Sequence, residues 1–293
     1  MTDLRGARRS GLLFEAEDGR TRFLVEAGSP PVVVGRSPPR DPRSVRLRTI
    51  LASRQHVRIH ADGDGFAVED AGSTGGAYLD GLLVRGRQPI GPGMRLRLAA
   101  DADFTTRGFR GASLYDRVTA AAGPIVDAHG GAALIGDLLR ALRPLHATDE
   151  AHGNLDWHHV VGDEVGWTVL IDGWTVLDLD GTLNCNPAYC APEVFSGNVL
   201  VPSSDLYAVG LLAFEARFGH RPFDDDDSGV QQHMLRKLVG APTWRGEVAA
   251  DERDLYLSLL AREPHQRPAI GRCLERVYEL YPDLRSRDRD RPT

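Results

Sequence analysis

Five residues able to ligate a metal or move a proton crowd the stretch HGNLDWHHVV: His152, Asn154, Asp156, His158 and His159. A further carboxylate, Asp172, follows thirteen positions after His159. One chemistry open to this set is transition-metal binding through His152, His158, His159 and Asp172. Zinc sites ask for three or four ligands converging in fixed geometry, and the three cysteines (Cys185, Cys190, Cys273) supply no CxxC pair. The other readings are a catalytic loop or the remains of one. Spacing within the stretch does not choose between them; the elements on either side do.

The chain of 293 residues is long enough for two domains, each with its own core. Residues 11 to 104 read as short strands: LLFEAE, RFLVEA, PVVVGR, VRLR, HVRIHA, FAVED, AYLDG and MRLRLAA, separated by GSPP, SPPRDP, DGDG and GSTGG. Many short strands at this spacing predict an all-β sandwich. Beyond residue 109 the period becomes helical, in DLLRALRPLH, DLYAVGLLAFEARF, ADERDLYLSLLARE and AIGRCLERVYELY. The boundary is expected near TTRGFRG, giving a sandwich over 1–106 and a mainly α-helical domain over 107–283. The tail 284–293, with its RSRDRDRPT run, is expected to be disordered.

Charge and composition narrow the partners. The net charge is −6, split as +3 over residues 1–105 and −9 over the rest, which argues against nucleic acid. No eighteen-residue apolar run is present, so no membrane span is expected, and the N-terminus lacks a signal-peptide pattern. The cysteines are read as reduced thiols and the protein as cytoplasmic. Lys237 is the sole lysine, and arginine standing almost everywhere else for lysine fits a high-GC bacterial genome.

Three blocks of the first half resemble a forkhead-associated (FHA) domain in order and interval: GRS at Gly35 to Ser37, SRQH at Ser53 to His56, and EDAGSTGGAYLDG at Glu69 to Gly81. The resemblance implies a β-sandwich that reads phosphothreonine, whose charge and acceptor oxygens want an arginine fork with hydroxyl and backbone donors. By motif position Arg36 and Ser53 are the direct phosphate ligands, Arg54 lies beside them, Thr74 stands in the third loop, and His56 braces the loops from inside. Gly75 departs from the family, which usually carries an asparagine there to clamp the peptide backbone. Losing that partner costs about 1–3 kcal/mol, so phosphate recognition is expected to survive with reduced affinity. Asp80 similarly replaces a second asparagine.

The second half resembles a protein-kinase C-lobe from the hinge onward: HGNL, LIDGW, PAYCAPE, SDLYAVG, GHRPF and REPHQRP follow in the family's order. That resemblance implies a buried Glu193–Arg267 ion pair, an Asp205 bracing the catalytic loop, and His152 packing as a structural histidine. The catalytic positions are degenerate. The family's base falls on Asn154, its metal-ligand asparagine on His159, and its metal-binding triad on Asp172-Gly173-Trp174, keeping one carboxylate. An alternative triad at Asp178-Leu179-Asp180 leaves a short activation segment. No strand lysine or glycine-rich phosphate loop precedes this half. These residues point to a pseudokinase without an N-lobe, hence no enzyme and no cofactor, acting as a phosphothreonine-dependent scaffold. The expected partner is a phosphothreonine protein, a Ser/Thr kinase or its substrate. Two alternatives stay open: an atypical phosphotransferase using Asp172 or completed by a partner chain, and a structural subunit with non-binding loops.

Overall fold

The computed structural model of the chain describes residues 9–39, 41, 44–63, 65–172, 186–197, 200–223 and 230–289. The backbone divides into two compact units. One runs through Ala112 and takes in a short segment beginning at Leu170; the other comprises Ser113–Val169 and the helical remainder.

The first unit is a two-sheet sandwich. Its strands are β1 (Arg9–Ala16), β2 (Arg22–Glu26), β3 (Val32–Gly35), β4 (Ser44–Arg46), β5 (Val57–Asp62), β6 (Gly65–Asp70), β7 (Tyr78–Leu79), β8 (Leu82–Leu83), β9 (Arg87–Ile90), β10 (Arg95–Ala99) and β11 (Ala102–Ser113). Within this unit one sheet runs β2-β1-β11-β10-β7-β8 and the other β4-β3-β5-β6-β9; among these described pairs β3–β4 is parallel and the rest are antiparallel. Alternation sets which side chains are buried: Val57 and Ile59 of β5 point inward while Arg58 between them is exposed. Phe14 stacks on Phe23 at 4.7 Å, Phe23 meets Phe104 edge-on at 5.7 Å, and Val25, Val34, Val68, Leu96 and Leu98 fill the rest of the core.

The expected boundary at 105–111 is corrected: β11 runs unbroken through it, paired with β1 from Ala16↔Phe104 to Arg9↔Gly111. A polar residue at an inward position hid the alternation. Thr106 is buried, its hydroxyl donating to Gly91 O at 2.7 Å and accepting from Met94 N–H at 3.0 Å.

The second unit contains α1 (Leu114–Ala120), α2 (Ala128–His146), a hairpin of β12 (Val160–Gly162) and β13 (Trp167–Val169), α3 (Pro192–Gly197), α4 (Pro202–Phe218), α5 (Val230–Val239), α6 (Ala250–Leu259), α7 (Ile270–Leu280) and α8 (Pro282–Arg289). Helix α1 starts on a reciprocal cap between Ser113 and Asp116. Helix α4 is buried on every side from Ser204 to Ala216, marking it as the unit's centre. Among the described residues no helix is long and apolar enough to cross a membrane.

The tail is also corrected over residues 284–289, while 290–293 lie outside the described residues. Residues 282–289 form α8, with Leu284 1% exposed. Its charges have partners: Asp288 pairs with Arg140 and Tyr278, and Arg287 reaches the buried Asp137 at 2.6 Å. A mixed-charge run reads as solvated only when its counter-charges are invisible, and these lie about 150 residues upstream.

Candidate functional site

At one end of the sandwich, β3 and β6 finish while β5 and β7 begin, so the loops between them meet there. Gly35 is required at this point: a Cβ on it would lie 2.3 Å from Arg54 O, so the 53–55 loop rides directly on it. Two backbone bonds fix the approach, Arg36 N–H to Ser53 O at 2.9 Å and Ser37 N–H to Arg54 O at 3.0 Å. The Arg36 Nε donates to Ala52 O at 3.1 Å, and Arg36 and Arg54 are both exposed. Ser53 Oγ accepts the Thr74 N–H at 2.9 Å and stands 3.5 Å from Thr74 Oγ1. The structure thus brings Arg36, Ser53, Arg54 and Thr74 to one end.

His56 is 1% exposed and ties two of these loops together. Its Nδ1 accepts the Ser53 N–H at 3.1 Å, leaving Nε2–H to donate to Gly76 O at 3.2 Å. Sequence reasoning missed a second brace, Asp70. Its carboxylate accepts the N–H groups of Gly72, Ser73 and Ala77 and the Ser73 hydroxyl. Burial raises its pKa, but these donors outweigh burial and hold it below the ordinary carboxylate value. An aspartate just ahead of a Gly-Ser turn was the available signal. Gly75 has nothing within 4 Å of its would-be Cβ and no positive φ. Asp80, at φ 47, accepts Arg95 N–H at 2.8 Å and serves its own turn.

In the helical unit, the stretch 152–159 is hung from Asp205. That carboxylate, 1% exposed, accepts the N–H groups of His152 at 2.8 Å and Gly153 at 2.9 Å and contacts His146 Nε2 at 2.9 Å. His152 is buried and its Nδ1 accepts Asn154 N–H at 3.2 Å. The Arg267 guanidinium is fully engaged: a bidentate pair with Glu193 at 2.7 and 2.8 Å, plus the carbonyls of Ala261, Ser203 and Arg262.

The imidazoles of the stretch take separate partners. His159 Nδ1 meets Asp156 Oδ1 at 2.8 Å, His158 stacks on Tyr115 at 4.5 Å, and His152 meets the His159 ring edge-on at 5.2 Å. Among the described residues no group of three or more His, Cys, Asp or Glu is placed to hold a metal. Asp156, whose capping role the spacing does not reveal, accepts the N–H groups of His158 and His159. Burial raises its pKa, but the bond and charge of His159 and the His158 donor outweigh it, leaving the carboxyl below its ordinary value. Asn154 lines a cavity of about 20 Å³ with Gly153, Asn186, Tyr189 and Asp205.

Asp172 does not join Asn154 and His159 in the helical unit. It belongs with the sandwich: Ile171 exchanges both backbone bonds with Arg22, at 2.6 and 2.9 Å, and Arg46 N–H donates to Asp172 O at 2.8 Å. Gly173, Trp174, Asp178, Leu179 and Asp180 lie outside the described residues. The sole lysine, Lys237, is buried, and its Nζ donates to the carbonyls of Pro187, Ala188 and Cys190 at 2.7, 2.7 and 2.9 Å. The reading of all cysteines as reduced thiols is corrected at Cys190, which is disulfide-bonded. Cys273 is free, its thiol pushed up to about 12 by burial. Cys185 lies outside the described residues.

Residues 32–99 match the FHA domain family and residues 178–278 the protein kinase domain family. The kinase match is partial: it contains Glu193, Asp205 and Arg267 but begins after Asn154, His159 and Asp172. Similar proteins include the DNA damage-responsive serine/threonine-protein kinase RqkA of Deinococcus radiodurans, 29% identical over 48% of this chain and 23% of that protein. Serine/threonine-protein kinase PrkC of Bacillus subtilis is 26% identical over 47% of this chain and 23% of its own length. Calcium/calmodulin-dependent protein kinase type IV of Mus musculus is 30% identical over 30% of this chain and 20% of its own. The match therefore spans less than a quarter of each relative. Among solved structures, Mycobacterium tuberculosis EmbR in complex with a low affinity phosphopeptide is 20% identical with a TM-score of 0.29, covering 33% of this chain and 24% of that one.

Proposed function

We propose that this chain, an FHA domain followed by a partial kinase domain, is a phosphothreonine-dependent adaptor whose kinase-like unit docks proteins and transfers no phosphate. The observation that carries the reading is the juxtaposition at one sandwich end: Ser53 Oγ lies 3.5 Å from Thr74 Oγ1, next to the exposed Arg36. Hydroxyl and guanidinium donors on one short arc suit a phosphate's three acceptor oxygens. The partner is a phosphothreonine protein, a Ser/Thr kinase or its substrate. Gly75 in place of the clamping asparagine makes that binding weak.

Three observations support the absence of phosphoryl transfer. Asn154 at the base position cannot take a proton at neutral pH. Lys237 is committed to three carbonyls, so no lysine remains for a nucleotide's phosphates. The Asp172 backbone is held in the sandwich unit. Retention of paired phosphothreonine and unphosphorylated peptide pools on the immobilised chain tests the adaptor reading. Wild type should retain only phosphorylated peptides and Arg36→Ala none; equal retention of both pools would overturn it.

A further inference from the structure

Ile171 is 0% exposed at the centre of a short segment that belongs to the sandwich unit, although Val169 just before it belongs to the other. Among the described strands β2 is outermost in its sheet, paired with β1, and β4 is outermost in the other, paired with β3. Outermost strands leave a row of unpaired N–H and C=O groups, a template for an added strand. The segment uses both edges. Arg22, the first residue of β2, exchanges N–H and C=O bonds with Ile171, and Arg46, the last residue of β4, donates to Asp172 O at 2.8 Å. Arg22 is itself buried and fixed sideways by its Nε bond to Glu15 at 2.8 Å.

We propose that Leu170–Asp172 is a strap seated in a strand-accepting cleft between β2 and β4, and that it stiffens the loop carrying Arg36. The path is short. Arg46 stands opposite Gly35 in the β3–β4 register, and the next residue, Leu47, donates its N–H to Gly35 O at 2.8 Å. Gly35 precedes Arg36, whose N–H is bonded to Ser53 O at 2.9 Å. Strand β4 is three residues long, and a strand that short frays unless held from both sides. The strap supplies the second side. Linkage then requires that whatever steadies Arg36 also steadies the strap, and the reverse. The consequence for phosphate reading rests on the function proposed above; the existence of the strap does not.

The test is residue-resolved amide exchange on the intact chain, wild type against Ile171→Pro, which removes the N–H that Arg22 O accepts and restricts Leu170. The amides of Arg22 and Arg46 should exchange about tenfold faster or more, and those of Leu47 and Arg36 about fivefold, while β5 and β6 stay protected. Ile171→Ala keeps the N–H, so it should shift the same four amides by less; it decides the question should Ile171→Pro unfold the sandwich. Arg22 and Arg46 amides already unprotected in wild type would overturn the strap. Unchanged Leu47 and Arg36 in variants that free Arg22 and Arg46 would overturn the coupling, as would four unchanged amides in Ile171→Ala. In a parallel calorimetric arm Ile171→Pro should bind a phosphothreonine peptide about fivefold more weakly. Failure of wild type to bind that peptide would sink the adaptor reading and leave the exchange data to decide the strap.

Discussion

Two loops of this molecule are hung on a buried histidine in nearly the same manner. In the sandwich, His56 Nδ1 accepts the N–H of Ser53, three residues before it; in the helical unit, His152 Nδ1 accepts that of Asn154, two residues after it. Each loop also has a carboxylate collecting backbone N–H groups, Asp70 in one and Asp205 in the other. What each brace presents differs. The first offers a serine, a threonine and exposed arginines; the second offers an asparagine and a histidine already bound to Asp156. A preserved brace therefore says that a loop keeps its shape, while the chemistry rests on the few side chains that the shape carries.

The largest effect concerns the scaffold of the helical unit. Glu193→Ala leaves the Arg267 guanidinium buried without its carboxylate, which should destabilise that unit by about 3–5 kcal/mol, read from its thermal unfolding transition. Next, the two histidines form a matched pair. His56→Ala and His152→Ala should each cost about 1–3 kcal/mol in their own unit by stranding half-buried backbone groups. Only His56→Ala should also weaken phosphothreonine peptide binding in calorimetry; equal weakening by both would erase the distinction drawn between the loops.

Much of this was legible in the sequence because it rests on short-range pattern. The blocks around Gly35, Ser53 and Thr74 and the residues Glu193, Asp205 and Arg267 have spacings that a reader can match; in the structure Ser53 meets Thr74, Glu193 pairs with Arg267, and Asp205 accepts the His152 N–H. The capping roles of Asp70 and Asp156 are not legible because a carboxylate that caps a turn looks like any loop acid until its N–H donors are seen. The strand over 105–111 was hidden by one inward threonine, and α8 by counter-charges distant in sequence. The placement of Asp172 could not be read from local pattern: backbone pairing with Arg22 and Arg46 is a long-range choice that the side chains of LIDGW do not advertise.

Smaller effects sharpen the sandwich side. Gly75→Asn meets no steric obstacle and should tighten phosphothreonine peptide binding by about 1 kcal/mol or more in titration calorimetry; no gain would show that the peptide does not cross residue 75. The smallest expected effect is acidic. Because Asp70 titrates below its ordinary value of about 3.9 when folded, its contribution is complete above that pH and is lost as pH falls through the lowered value. As pH falls below that ordinary value the Ser73 and Ala77 amides should lose protection from exchange, and Asp70→Asn should flatten that dependence.

The contrast between the two loops is tested most directly by titrating the intact chain with two ligands and following thermal unfolding: a phosphothreonine peptide, and ATP with magnesium in the presence of a radiolabel. The peptide should stabilise the wild-type chain but not Arg36→Ala, and the nucleotide should give no shift and no label transfer. Stabilisation by magnesium and ATP together with transfer of label to any acceptor would contradict that contrast.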